Sequence, residues 1–241
     1  MTSFGLPWTE WEPVYRAIRA DFGYSLDADE AARDELRASI GSDGLTPHDL
    51  PDATGVTVAV AGGAPMTPAD FEITAAADLV FGVSTASGRI RKAGLTVDFH
   101  VTDLDKDEAV VTELTSSGVP VAVHAHGDNR TAIEQLVPTL DSSAIFPTTQ
   151  AHPVTGVFNP GGFTDGDRAA FLADALGASR LTFPGWDLED ETVGTEKRRK
   201  LSWAGRLLRW LEIRRDERFE LLDSRRDGIA LPPGAALSRE D

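Results

Sequence analysis

Residues 97–129 read VDFHVTDLDKDEAVVTELTSSGVPVAVHAHGDN. Two short β-branched runs, Val97 to Thr102 and Val119 to Ala125, bracket the amphipathic segment Lys106 to Ser116. Strand, helix and strand in so short a span make a βαβ unit, the connection that parallel strands require. The alternation continues in both directions. Further strands are expected at Val56 to Ala61, Leu79 to Val83, Ala144 to Phe146, Val154 to Phe158 and Leu181 to Phe183, and further helices at Thr131 to Leu140 and Asp165 to Leu176. The fold class that follows is α/β, a three-layer arrangement with a mostly parallel sheet and helices on both faces. Before this region, Trp8, Trp11, Val14, Tyr15 and Ile18 recur at helical spacing, and a second helix is expected over Asp29 to Ile40, ended by Gly41. After it, Leu201, Trp203, Leu207, Leu208, Trp210 and Leu211 mark a closing helix between Glu196 and Arg215. The expected organisation is an N-terminal helical segment over 1–53, an α/β domain over 54–225 and a C-terminal tail over 226–241. The first segment carries no motif, which leaves open packing on the core or a contact between subunits of a homo-oligomer.

Composition narrows the function classes. The chain has 241 residues, 41% of them hydrophobic and 26% charged, enough to fill a core. It has no cysteine, which excludes disulfides, a thiol nucleophile and Cys-ligated metal. A formal charge of −16 argues against a nucleic-acid backbone as partner. No apolar run approaches the roughly 20 residues of a membrane span and the N-terminus lacks a signal pattern, so a cytoplasmic protein is expected. Only four lysines, Lys92, Lys106, Lys197 and Lys200, stand beside nineteen arginines, a balance that suits a high-salt, halophilic cytosol. Most acids are then solvating groups, and position must decide which of them are more.

The polar clusters all follow expected strands, at the carboxyl ends where open α/β sheets bind ligands. Gly62-Gly63-Ala64-Pro65 reads equally as an ordinary βα turn or as a loop against a phosphate, with Thr67, Pro68 and Asp70 starting a helix behind it. Asp103 and Asp105, if extended, point to one side and could share Mg²⁺; a helix N-cap is the plainer reading. In His124-Ala125-His126-Gly127-Asp128-Asn129 the density of histidine, acid and amide favours function, as metal ligands or phosphate contacts. In Gly161-Gly162-Phe163-Thr164-Asp165-Gly166-Asp167-Arg168 a Thr164/Asp167 capping box is the bland reading, but the glycines suggest backbone close to a ligand. Gln150 could read an amide-like edge, and Phe163 or Trp186 could stack on a flat ring.

In this order and spacing, Thr102-Asp103-Leu104-Asp105, the HAHGDN run, Thr149-Gln150, the GGFTDGDR run and Gly185-x-Asp187 resemble the archaeal 6-hydroxymethyl-7,8-dihydropterin pyrophosphokinase family, the MptE-like proteins. The resemblance covers about residues 55–215 and implies transfer of a diphosphate from Mg-ATP to the hydroxymethyl group of a reduced pterin. AMP would be released, in tetrahydrofolate or tetrahydromethanopterin biosynthesis, on a core similar to that of thiamine pyrophosphokinases. The expected roles are Asp103, Asp105, Asp165 and Asp167 on Mg²⁺, and His124, His126 and Asp128 in catalysis. Gly62, Gly63, Ala64, Pro65, Arg168 and Lys197 would hold the nucleotide, and Asn129, Gln150, Gly162, Phe163 and Asp187 the pterin. The chain departs from the family pattern at Met66, at Ser84 to Ser87 and at Lys106, the last of which could add a phosphate contact. A metal-dependent phosphoesterase, a D-x-D glycosyltransferase and a non-catalytic nucleotide-binding protein are the rival readings. The phosphoesterase reading lacks a downstream histidine motif, since only His152 follows.

Overall fold

Buried parallel strands read as unbroken β-branched runs, and six of the expected runs pair side by side. In the computed structural model, which describes residues 4–237, they are β1 (Thr57–Ala61), β2 (Leu79–Val83), β3 (Phe99–Thr102), β4 (Val121–Ala125), β5 (Ile145–Thr149) and β6 (Arg180–Thr182). Their order in the sheet is β5-β4-β3-β2-β1-β6 and every neighbouring pair is parallel. Residues 1–3 and 238–241, the ends of the N-terminal segment and of the tail, lie outside the described residues.

Eight helices accompany the strands among the described residues: α1 (Trp8–Phe22), α2 (Leu26–Ile40), α3 (Pro68–Ala76), α4 (Ala86–Lys92), α5 (Glu108–Ser116), α6 (Arg130–Leu136), α7 (Asp165–Ala175) and α8 (Thr195–Arg215). Side chains alternate across each strand. Val58, Val60, Phe81, Val83, Phe99, Val101 and Phe146 therefore meet α1, α7 and α8 on one face, through Trp11, Tyr15, Phe171 and Leu207. Val80, Val121, Val123 and Ile145 meet α2, α4, α5 and α6 on the other, through Leu36, Ile90, Val111 and Ile133. The chain steps from β1 to β5 in one direction, then returns past β1 to place β6 beyond it. That reversal puts a topological switch between β1 and β6, where the loops following the two strands diverge.

The N-terminal helices pack on the core, α1 on one face and α2 on the other. After α2 the chain passes the β5 edge, where Leu45 N–H donates to Ile145 O at 2.7 Å, so part of an exposed strand edge is covered. Among the described residues no helix is long and apolar enough to cross a membrane.

One expected strand is absent. Val154 to Phe158 folds back on itself: Val154 and Val157 exchange backbone hydrogen bonds around Gly156, which sits at φ 84°. Only Phe158 reaches the sheet, bonding to Pro147 and Thr149 on the edge of β5. A β-branched run interrupted by a left-handed glycine makes a tight turn, and the sheet ends at β5.

His100 on β3 is buried, its Nδ1 at 3.0 Å from Gly82 O and 2.8 Å from the Ser87 hydroxyl. Gly82 must lack a side chain, because a Cβ there would lie 2.1 Å from Ser87 Oγ. Burial pushes the imidazole pKa from 6.5 down to about 4, against a smaller upward pull from Gly82 and Asp107. Below pH 6.5 the unfolded chain therefore takes a proton that the folded chain refuses, and stability falls toward pH 4 by up to about 1.4 kcal/mol per pH unit for this group. His100→Gln should flatten the loss of urea-unfolding free energy between pH 7.5 and 5 by up to one proton. An unchanged slope would contradict the burial argument.

Candidate active site

Because the strands all run the same way, their six following loops converge over one end of the sheet. They enclose a cavity of about 450 Å³. Gly62 to Pro65 enter it after β1, Ser84 and Thr85 after β2, Asp103, Asp105 and Lys106 after β3, His124 and His126 at the end of β4, Gln150 and Phe163 to Gly166 after β5, and Gly185 to Asp187 after β6. Tyr24, from the turn between α1 and α2, and Lys197 and Lys200, from the first turns of α8, complete the wall.

Asp103 and Asp105 are brought together by a turn. β3 ends at Thr102, and Leu104 adopts a left-handed φ of 66° with its side chain buried. The turn is held by Leu104 N–H donating to Thr102 Oγ1 at 2.9 Å and Asp105 N–H donating to Asp103 Oδ1 at 3.2 Å. An L-residue in this conformation costs on the order of 1 kcal/mol, and such strain concentrates at functional sites. The extended geometry expected for this pair is thus replaced by an aspartate turn that still faces both carboxylates to the cavity. Burial works against the Asp103 charge, but hydrogen bonds from His126 and Asp105 hold the carboxyl well below the usual range. Burial and then Asp103 push Asp105 up. Asp165 is pushed well up, first by burial and then by the charge of Asp103. Three carboxylates in one cleft repel one another, which is an electrostatic reason for a cation among them.

The two histidine rings lie 5.9 Å apart, nearly parallel. His126 Nε2 is 3.5 Å from Asp103 Oδ2, and its Nδ1 accepts from Asp128 N–H at 3.3 Å. His124 is 2% exposed, and burial, followed by the charges of Arg168 and His126, holds its pKa well below the ordinary value.

Several residues expected at the ligand instead shape the loops. Asn129 spends its amide on backbone, accepting from His126 N–H at 3.0 Å and donating to His124 O at 2.6 Å and Asp103 O at 2.8 Å, which ties the β3 and β4 loops together. Asp167 is fully buried, and its carboxylate caps α7 by accepting from Phe163 N–H, Thr164 N–H and the Thr164 hydroxyl. The capping-box reading therefore holds, and Asp167 has no oxygen turned to a metal in the cavity. Arg168 is also fully buried and donates to Gly161 O and Phe163 O, which removes it from the nucleotide wall. Gly162, at φ 88°, makes room for it, since a Cβ would lie 2.4 Å from Arg168 Cα. Asp128 is exposed and does not line the cavity. The other expected residues, Gly62, Gly63, Ala64, Pro65, Asp103, Asp105, His124, His126, Gln150, Phe163, Asp165, Asp187 and Lys197, all line it.

Trp186 is a wedge. Its indole N–H donates to Val60 O at 2.8 Å, and a Cβ on Gly62 or Gly166 would come within 2.7 or 2.5 Å of the ring. Both glycines are there to admit the indole; Phe163, packed 5.1 Å from Phe22 and 6.3 Å from Tyr24, lines the cavity beside it. Tyr24 and Lys200 were not singled out by motif. The available signal was lysine scarcity: three of the four lysines in the chain, Lys106, Lys197 and Lys200, line this one cavity.

A parallel α/β sheet that gathers carboxylates, imidazoles and lysines over its strand ends defines an enzyme acting on small, charged molecules. Residues 72–192 match the model of the family described as 6-hydroxymethylpterin diphosphokinase MptE-like. The chain is 35% identical over 230 residues to a protein of Methanothermobacter thermautotrophicus, covering 88% of this chain and 97% of that one. It is 34% identical to a Pyrococcus furiosus protein (86% and 95% covered) and 30% identical to one of Methanocaldococcus jannaschii (84% and 95% covered). All three relatives are named 6-hydroxymethyl-7,8-dihydropterin pyrophosphokinase. The chain belongs to the MptE-like family.

The wedge can be tested by a mutant cycle. Gly166→Ala should lower stability by about 1–3 kcal/mol through overpacking, although alanine is favoured in a helix by about 1 kcal/mol. In a Trp186→Ala background the same change should become stabilising. The same sign in both backgrounds, by urea unfolding, would refute it.

Proposed function

We propose that the protein transfers a diphosphate from Mg-ATP to the hydroxymethyl oxygen of 6-hydroxymethyl-7,8-dihydropterin, giving the pterin diphosphate and AMP in tetrahydrofolate or tetrahydromethanopterin biosynthesis. The relatives' names suggest the activity. The observation that carries it to this chain is one cleft lined by Asp103, Asp105, Asp165, Asp187 and Asp190 together with three of only four lysines.

The residues fit a hard cation. Asp103, Asp105 and Asp165 offer oxygen donors around one space, and Asp105 and Asp165 are pushed up by burial first and by the Asp103 charge after it, both of which a cation would offset. Among the described residues no group of three or more His, Asp or Glu side chains is placed to hold a metal ion by itself. A cation sharing its ligands among these carboxylates, phosphate oxygens and water suits Mg²⁺, which keeps much of its shell from substrate. When bound, Mg²⁺ would neutralise the triphosphate and make the transferring phosphorus a better electrophile.

The protein's own part is then mostly positioning, which supplies much of the acceleration in phosphoryl-type transfers. Lys106, Lys197 and Lys200 pair with phosphate oxygens, and the Gly62 to Pro65 backbone lies along the nucleotide ahead of the α3 N-terminus. His126, with Nδ1 occupied by Asp128 N–H, turns Nε2–H toward Asp103 and the phosphates as a donor. Phe163, Gln150 and Asp187 take the pterin.

Purified protein incubated in high salt with Mg²⁺ and ATP should form AMP only when the pterin is added. Asp103→Asn and Asp105→Asn should each lower kcat on the order of 100-fold, and Lys197→Ala should raise the ATP KM on the order of tenfold. Phosphate release without pterin would establish a hydrolase instead, and ATP binding without turnover a non-catalytic module.

A further inference from the structure

His124 has a fixed tautomer. The Thr148 hydroxyl donates its only hydrogen to Val123 O at 3.1 Å, which leaves its oxygen as an acceptor. His124 Nδ1 lies 3.3 Å from that oxygen; with the hydroxyl hydrogen on Val123 O, Nδ1 carries the imidazole proton. In the neutral ring Nε2 is then a bare lone pair, and it is buried with no partner in the protein.

Gln150 is fixed in the same sense. Its carboxamide is 2.9 Å from Asp29 Oδ2, and a carboxylate can only accept, so the NH₂ faces Asp29 and Oε1 faces the other way. Gln150 and His124 both line the cavity, so Oε1, turned away from Asp29, belongs to the same wall as His124 Nε2. Asp29 is 2% exposed and cannot swing, because it also accepts from the Tyr15 hydroxyl at 2.6 Å and Gly127 N–H at 2.7 Å.

We infer that His124 Nε2 and Gln150 Oε1 are a preset pair of hydrogen-bond acceptors that recognises two adjacent N–H donors on a flat, uncharged heterocycle, as on a 2-aminopyrimidinone edge. The inference rests on the pterin reading for the identity of the ligand and on the structure for the pair itself. It removes His124 from the phosphates, whose oxygens are acceptors too. Thr148 and Asp29 are positioning residues: they touch no substrate, and they act by holding His124 and Gln150 with lone pairs forward. A buried acceptor pair is an effective selector, because a ligand without the donors leaves both acceptors unpaired.

Three measurements test this. The ¹⁵N chemical shifts of His124 in the wild-type protein should report protonated Nδ1 and bare Nε2; a protonated Nε2 would overturn the pair. The wild type should prefer 6-hydroxymethyl-7,8-dihydropterin over its analogue with oxygen in place of the 2-amino group by on the order of 100-fold in kcat/KM. Equal use of both would overturn the pair while leaving the proposed activity intact, whereas no AMP with either would remove that activity and leave the tautomer result standing. Asp29→Asn should raise the pterin KM on the order of tenfold at unchanged ATP KM, and lose that effect in a Gln150→Ala background. Thr148→Val should do the same and lose its effect in a His124→Ala background. An effect that persists in those backgrounds would make Asp29 and Thr148 merely structural. Where a variant fails to fold, the two wild-type measurements decide.

Discussion

A buried carboxylate on α2, Asp29, ties the N-terminal helices to the cleft. Its oxygens take hydrogen bonds from Tyr15 on α1, Gln150 after β5 and the Gly127 backbone after β4. All three donors are neutral, and a buried carboxylate tolerates that only where its lone pairs are well satisfied. The two helices, which show no motif, thereby set the position of two loops at the site. Tyr24, in the turn between them, reaches the cavity itself. Trp11 adds a further tie, its indole N–H donating to the Gln150 carbonyl at 2.9 Å, so residue 150 is held through both backbone and side chain.

The second organising constraint is charge. A chain of net charge −16 with four lysines spends three of them on one cavity. Elsewhere arginine does the structural work in close pairs: Arg215 with Asp174 and Glu217, Arg226 with Glu212 and Asp223, and Arg214 with Glu10, which fastens α8 to α1. The division follows from the chemistry of the two cations. A planar guanidinium makes fixed, forked contacts to carboxylates, whereas a flexible ammonium can follow a phosphate as it moves. In a sequence this poor in lysine, each lysine is a stronger pointer than any of its acids.

Much of the fold was legible because buried parallel strands leave an unmistakable run of β-branched residues, and because their carboxyl ends attract polar clusters. Val154 to Phe158 misleads since the same residue types fold around Gly156 into a turn, and composition does not register a left-handed glycine. In the site, residue type was legible and commitment was not. Asn129, Asp167 and Arg168 look like ligand contacts, yet Asn129 spends its hydrogen bonds on the backbone of the β3 and β4 loops, and Asp167 and Arg168 spend theirs on the loop ahead of α7. Leu104 hides a turn inside a D-x-D that reads as extended. Lys200 and Tyr24 lay outside any motif because they come from elements distant in sequence, which only the folded chain brings to the strand ends.

The cleft is also graded in polarity, and the gradient has a structural cause. Asp103, Asp105 and Lys106 sit on the loop after β3 and Lys197 and Lys200 on the first turns of α8, all at least partly exposed, while His124 lies buried at the end of β4. Burial, and after it the charge of Arg168, holds the His124 pKa low, while Asp167 and Asp165 offset the buried guanidinium, whose own pKa burial pulls down to about 10. Removing Arg168 would therefore do more than loosen the Gly161 to Phe163 loop: it would take away a cation whose charge opposes protonation of His124. A protonated His124 would offer a donor where the deep wall offers lone pairs, and would draw phosphate inward. On the proposed reading, the buried arginine that seemed suited to holding a nucleotide adds its charge to the burial that keeps His124 an acceptor for the pterin.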